Sequence, residues 1–192
     1  MFNNEFIPCL DSRHFSLIRR SCIILFQIQD RALGNPDLRT FLKEGRKFDI
    51  VVVSVFLASE AGYYLAKKFD SSLVLYSTGQ SSVPWMNAAL GQPHNPSYMP
   101  LPILDCSAEM TFFERLKNFI MTNIGHHGFR DYYILNQVDT LLDKHFPEEE
   151  RPSLLDMERN AAAGFGFTHP LFLDGWRPTN PNYVHLGMMN CR

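Results

Sequence analysis

Apolar residues recur at Phe15, Ile18, Cys22, Leu25 and Phe26, the three-and-four spacing of one helix face, which predicts a helix reaching about Ala32. Asn35-Pro36-Asp37 then sets a capping side chain before a proline whose missing N–H costs nothing at a first helical position. A second short helix over Leu38 to Glu44, ending at Gly45, follows. Phe48 to Phe56 is a continuous, largely β-branched run without alternation, which predicts a central strand of a parallel sheet, covered on both faces. Ser59 to Phe69 reads as an amphipathic helix, with Leu57, Ala61, Tyr64, Leu65 and Phe69 on one side and Lys67 and Lys68 facing water. Ser72 to Tyr76 is the next strand, completing a β-α-β unit.

Pro93, Pro96, Pro100 and Pro102 crowd the next segment, which predicts an extended surface strap over Gln92 to Pro102. Thr111 with Glu114 three residues later forms a capping box, opening a helix whose buried face is expected to be Phe112, Leu116, Phe119, Ile120 and Ile124. Gly125-His126-His127-Gly128 reads as a break, and Tyr132, Leu135, Val138, Leu141 and Leu142 as a further helix toward Phe146. A charged linker, Pro147 to Pro152, leads to a helix start at Ser153, then to short strands over Ala161 to Thr168 and Tyr183 to Gly187. Strands alternating with helices make an α/β layered domain.

The chain has 192 residues, 45% hydrophobic and 20% charged, enough for one folded domain and too apolar for disorder. Its formal net charge is -2 with no basic block, so nucleic acid is not an expected partner. The most apolar runs, Cys22 to Phe26 and Ile50 to Ala58, fall short of the roughly 20 residues that cross a bilayer. No secretory signal is legible at the amino terminus. Cys9, Cys22, Cys106 and Cys191 are scattered without metal-binding spacing, and no metal is expected.

Few motifs carry chemistry outright. Gly164-Phe165-Gly166 lacks the third glycine of a dinucleotide loop, since His169 and then Pro170 stand there, so these glycines more simply thin a strand for close packing. There is no G-x-S-x-G nucleophile elbow. His126 and His127 suit surface or capping roles. Ligands of open parallel sheets bind outside the carboxyl ends of the strands, which singles out Ser54, Phe56 and Glu60. Equally, Ser54 could cap the next helix and Glu60 favour its positive end. Trp85, Met86, Met110, Phe112 and Phe113 could line a pocket for a greasy ligand or simply pack in the core.

Four blocks in register resemble the animal UDP-glycosyltransferases, most closely those of insects. They are Phe48-Asp49-Ile50-Val51-Val52-Val53, Gly91-x-Pro93-x-x-Pro96-Ser97-Tyr98-Met99-Pro100, Met110-Thr111-Phe112-Phe113-Glu114-Arg115-Leu116-Lys117-Asn118, and Arg177-Pro178-x-x-Pro181-Asn182-Tyr183-Val184-x-x-Gly187. The match runs from about Asn35 to the carboxyl terminus. The resemblance implies the Rossmann-like amino-terminal half of a GT-B enzyme, incomplete, in which residues 1–34 are a divergent helical segment and 35–192 a partial acceptor-binding domain. The donor-binding domain, with its W-x-P-Q and H-G-G elements, is not in the sequence.

The same resemblance implies transfer of a hexose, most simply glucose, from a UDP-sugar co-substrate to a small lipophilic acceptor, without a further cofactor. Family members use an amino-terminal histidine as general base, oriented by an acidic residue. Ser54 stands at that acidic position, Glu60 is a substitute for it, and His14 in Ser12-Arg13-His14-Phe15 is the candidate base, although the helical register also accounts for His14. The fragment is expected to be inactive alone. The alternative is a non-catalytic short isoform that binds hydrophobic ligand or associates with full-length relatives; a third reading is an incomplete gene product. Residence at the endoplasmic reticulum membrane or in its lumen is implied by resemblance only.

Overall fold

The computed structural model describes residues 12–55, 59–77, 84–92, 94–101, 104, 106, 107, 109–147, 150–166 and 180–186. Four parallel strands form its sheet: β1 (Ile50–Ser54), β2 (Ser72–Ser77), β3 (Ala163–Gly166) and β4 (Tyr183–His185), in that spatial order. Val52 pairs with Val74, Leu75 with Gly164, and Phe165 with Val184. This is the parallel sheet of an α/β layered domain, as the alternation of strands and helices predicts, and it is consistent with the Rossmann-like half that the resemblance implies.

The helices are α1 (Ser12–Gly34), α2 (Pro36–Lys43), α3 (Ala61–Lys68), α4 (Pro84–Ala89), α5 (Phe112–Asn123), α6 (Leu135–His145) and α7 (Leu154–Arg159). Local chemistry sets several of their ends. The Asp37 amide donates to Asn35 Oδ1 at 2.8 Å with Pro36 in the first turn, and Gly45 closes α2 at φ +65°. Thr111 and Glu114 form the expected reciprocal box, the Thr111 amide donating to Glu114 Oε2 at 2.7 Å. Ser153 caps α7 by accepting from the Asp156 amide.

One face of the sheet carries the core. Val53 and Leu75 meet Tyr63, Tyr64 and Ala66 of α3, and Ile134, Val138 and Leu142 from the α6 region add a further layer. Gly62 lets α3 close onto β1, since a Cβ there would stand 2.8 Å from Val53 Cγ1. Gly164 does the same for α4. A Cβ there would stand 2.5 Å from Leu90 Cδ1 and 2.7 Å from Met86 Cε, so Gly164→Ala is expected to lose about 1–3 kcal/mol by urea melting. At the amino end of β1 the rings of Phe41, Phe48 and Phe69 close a triangle with centroids 4.9–5.9 Å apart.

Four sequence expectations are corrected. β1 is an edge strand among the described residues, not the centre of the sheet, and is covered on one face: Val51 and Val53 turn to the core, while Ile50 and Val52 are 58% and 55% exposed. A uniform β-branched run cannot reveal that, because both faces look alike in it.

α5 also turns the other way. Phe112, Leu116, Phe119, Ile120 and Ile124 are exposed, and Asn118 and Thr122 are buried. The reason is Asn118. Its Oδ1 accepts from the Leu101 amide at 2.9 Å, and its Nδ2 donates to the Pro96 and Met99 carbonyls at 2.6 and 2.9 Å. Those three bonds draw the polar side of the helix inward against the proline segment. That segment is therefore no surface strap throughout, since Met99 and Leu101 are buried at its end.

The Gly125–Gly128 break is absent as well. α5 and α6 are joined by a π-helical segment, Ile124–Ile134, so the glycines are absorbed into wide turns of one helical run.

Candidate functional site at the carboxyl ends of the strands

The strands end at Ser54, Ser77, Gly166 and His185 on one edge of the sheet, the edge where open parallel sheets receive ligands. Val55 continues β1 by donating its amide to the Tyr76 carbonyl at 2.9 Å. Trp85 of α4 reaches this edge, donating from Nε1 to the Val55 carbonyl at 3.0 Å and leaving its ring half-buried. His185 stacks edge-on against Tyr183, with centroids 4.9 Å apart.

Behind this edge lies a fully buried ionic cluster. Arg130, from the π segment, donates from Nη2 to Glu158 Oε2 of α7 at 2.6 Å and stands 3.6 Å by Nε from Glu60 Oε1 at the start of α3. Its guanidinium also lies 5.8 Å from the Trp85 ring centroid and bonds Asp131 at 3.2 Å. Arg130, Glu60, Glu158 and Tyr63 are each 1% exposed. Two buried carboxylates thus share one guanidinium, which ties α3, α7 and the π segment together beneath Trp85.

The electrostatics follow from that count. Burial pushes Glu158 up to about 7 against the pull of Arg130, with Glu60 and Asp131 adding to the rise. Burial also lifts the Tyr63 hydroxyl well above its usual range, helped by Glu158 and Glu60. Burial disfavours the charge on Arg130, but Glu158, Tyr63 and Glu60 outweigh it and hold the group above its ordinary value. A carboxyl raised on folding binds its proton more tightly in the native state, so its contribution to stability is full below about 4.5 and is lost as pH rises toward 7. Denaturant midpoints are accordingly expected to show a component that increases from pH 7.5 to pH 5, opposite in sign to that of Asp30, whose carboxyl is lowered by its bonds to Lys144 and His145. Mutation to Glu158→Gln should abolish that component.

The candidate residues are dispersed. Ser54 is half-buried, opposite Tyr76, and alternation turns it to the face of the sheet away from Val53 and α3. Glu60 is held with Arg130 on the α3 side, so Ser54 and Glu60 are not brought together. His14 lies in the first turn of α1, and its side chain is outside the described residues, as is Phe56. The side chains of His126 and His127 are likewise outside them. Met86 and Met110 are 0% and 3% exposed, in packed interior. Phe112 and Phe113 are exposed on α5, edge-on to each other at 5.5 Å. Of the acceptor-lining candidates, Trp85 alone is at the strand ends and partly open among the described residues. No group of three potential metal ligands occurs among them either.

Sequence reasoning missed Arg130, Glu158 and Asn118. Glu158 had a signal, since it lies four residues after the buried Leu154 on the same face of α7. Arg130 had less, because the glycines around it read as a break.

Comparison with known proteins bears on this arrangement directly. The family model described as UDP-glucoronosyl and UDP-glucosyl transferase matches residues 9–192. The chain belongs to that family. The match takes in the segment before Asn35 as well as the four blocks. UDP-glucuronosyltransferase 3A1 of Xenopus laevis is 26% identical over 181 residues, covering 91% of this chain and 30% of that protein. UDP-glucosyltransferase 2 of Dactylopius coccus is 29% identical, covering 89% and 31%. UDP-glucuronosyltransferase 3A2 of Mus musculus is 31% identical, covering 81% and 28%. The chain therefore spans under a third of the length of these UDP-glycosyltransferases. No solved structure matches it. No helix among the described residues is long and apolar enough to cross a membrane.

Proposed function

We propose that these residues form the acceptor side of a GT-B UDP-glycosyltransferase, a half-domain that receives a small lipophilic molecule for transfer of a hexose, most simply glucose, from a UDP-sugar. The observation that supports it is the family match along nearly the whole chain together with a parallel sheet whose carboxyl edge carries a half-buried indole. Trp85 offers the acceptor an apolar wall, and Ser54 marks the end of the strand beside it. The acceptor domain comprises residues 35–192, with α1 as a preceding helical segment, and the UDP-sugar is held by a domain outside this sequence. His14 is the candidate base. Glu60, bound to Arg130 on the far side of the sheet, supports Trp85 and α3 rather than orienting an imidazole.

On this reading the charge developing on UDP is stabilised by the donor domain, where most of the catalytic effect is expected. The chain alone is inactive on this reading, and the complete protein works at the endoplasmic reticulum membrane. The purified chain should bind a simple phenol with quenching of tryptophan fluorescence, yet neither bind UDP-glucose nor transfer from it, while a full-length relative does both. Measurable transfer by the chain alone sinks this reading.

A second reading has its own observation. The edge of β1, unpaired among the described residues and bordered by the exposed face of Ile50 and Val52, suits pairing with a strand of a full-length relative. Retention of the chain by an immobilised relative, lost in Val52→Pro, supports it.

A further inference from the structure

We infer that Arg130 is a positioning residue for the acceptor wall: it fixes the plane of the Trp85 indole, and through it the proton state of Glu158 governs how well an aromatic acceptor stacks there. The inference rests on the reading of Trp85 as that wall and adds what holds the wall in place. The indole is pinned at its nitrogen, where Nε1 donates to the Val55 carbonyl at 3.0 Å. A single hydrogen bond fixes one point and leaves the ring to turn about it. The Arg130 guanidinium, over the ring at 5.8 Å from its centroid, supplies the second restraint.

The seating of Arg130 favours that role over plain charge pairing. It is the largest fully buried side chain among the described residues, and a buried ionic cluster is a poor source of stability, so its presence asks for another use. An arginine placed only to neutralise a carboxylate grips it with two parallel bonds. Arg130 instead gives one bond to Glu158 Oε2 at 2.6 Å and one to Asp131 at 3.2 Å, stands 3.6 Å from Glu60, and leaves Glu158 Oε1 without a hydrogen bond among the described residues. The two-point grip is given up while the cation stays over the ring. Arg130 also rises from the π-helical segment Ile124–Ile134, and wide turns of that kind recur at functional sites.

Glu158 tunes the restraint. Its carboxylate cancels part of the guanidinium charge, and a proton on it leaves that charge freer to attract the indole face. Held up to about 7 by burial, this carboxyl changes state between pH 8 and pH 6. Around it stand Glu60 and Tyr63 on the α3 side, Asp131 in the π segment, and Cys22 of α1 near Glu60. Burial lifts both Tyr63 and Cys22, so each keeps its proton over this range. α6 also packs on α7, but its charged side chains are directed elsewhere, Asp139 and Asp143 to Arg151, Lys144 and His145 to Asp30.

The test compares phenol with cyclohexanol, a hydroxyl-bearing ring of similar size that cannot stack, by calorimetry on the purified chain. Phenol, uncharged throughout, is expected to bind about threefold tighter at pH 6 than at pH 8, and cyclohexanol to bind alike at both. Glu158→Gln should hold the tighter phenol affinity at both pH values. Arg130→Lys, which keeps the charge without the planar fork, should weaken phenol about threefold to tenfold and leave cyclohexanol unchanged. Where Arg130→Lys does not fold, Glu158→Gln, equal in shape to the parent, carries the test. Without ligand, the Trp85 indole N–H resonance, assigned by Trp85→Phe, should move between pH 8 and pH 6 in the parent and stay still in Glu158→Gln. A cluster that only holds helices together would not move it.

Phenol affinity indifferent to pH and to both substitutions overturns the inference, as does a pH dependence that survives Glu158→Gln. In those cases phenol still binds, and the acceptor reading stands. Cyclohexanol binding with the same dependence as phenol assigns the effect to the shape of the whole site and overturns the inference too. Failure of the folded parent to bind either alcohol overturns the acceptor reading along with it.

Discussion

Arg130→Met is expected to cost about 3–5 kcal/mol of folding stability at pH 8, the largest single loss among these helices. Removing the guanidinium leaves Glu60 and Glu158 buried beside each other with no cation, and takes its positive face from Trp85. The penalty should shrink as pH falls, because the carboxyls escape it by taking protons, and Glu158 already does so near 7 in the parent. Urea melts of parent and variant from pH 8 to pH 5 should therefore converge. A pH-independent gap would mean that Arg130 acts by packing alone. Combining Arg130→Met with Glu158→Leu should recover most of the loss, since an apolar pair of similar volume removes one of the stranded charges.

Asn118→Leu is expected to cost about 2–4 kcal/mol, by stranding the Leu101 amide and the Pro96 and Met99 carbonyls without partners. Its local signature is more telling than its size. The Leu101 amide should exchange with deuterium far faster, while amides of β1 and β2 keep their protection relative to global stability. Asn118→Asp should recover the bond from Leu101 and lose both bonds to the carbonyls. If it matches the parent in exchange and stability, the clamp is not what orients α5.

Those two residues mark the limit of what the sequence discloses. The β-α-β unit, the Asn35-Pro36 start of α2, the Thr111 box and the Ser153 cap were all legible, because each signal is contained within a few neighbouring positions. Which face of α5 turns inward was not. Counting apolar positions assigns burial to the greasier side, but one asparagine with three backbone partners far away in sequence decides otherwise. The edge position of β1 is non-local in the same way, since it depends on what lies beside Ile50 and Val52 rather than on their identity. At the candidate site, topology directed attention to the strand ends, and the family blocks named the chemistry. Periodicity could not show that Ser54 and Glu60 part to opposite sides of the sheet, because a strand residue and a helix residue six positions apart carry no shared register.

The order of pairing in the sheet also governs how the chain reaches its fold. β1 and β2 are joined through α3 alone, whereas β2 meets β3 only after the chain has travelled from Ser77 to Ala163 through α4, α5, α6 and α7. Closing so long a connection costs entropy before any strand contact repays it, so β1, α3 and β2 are expected to assemble early and β3 with β4 to join late. Pulse-labelled hydrogen exchange during refolding should find the Val53 and Leu75 amides protected before those of Gly164 and Phe165. Until then the β3 side of β2 is an unpaired strand edge, and the interval before β3 arrives is when the nascent chain most needs a chaperone.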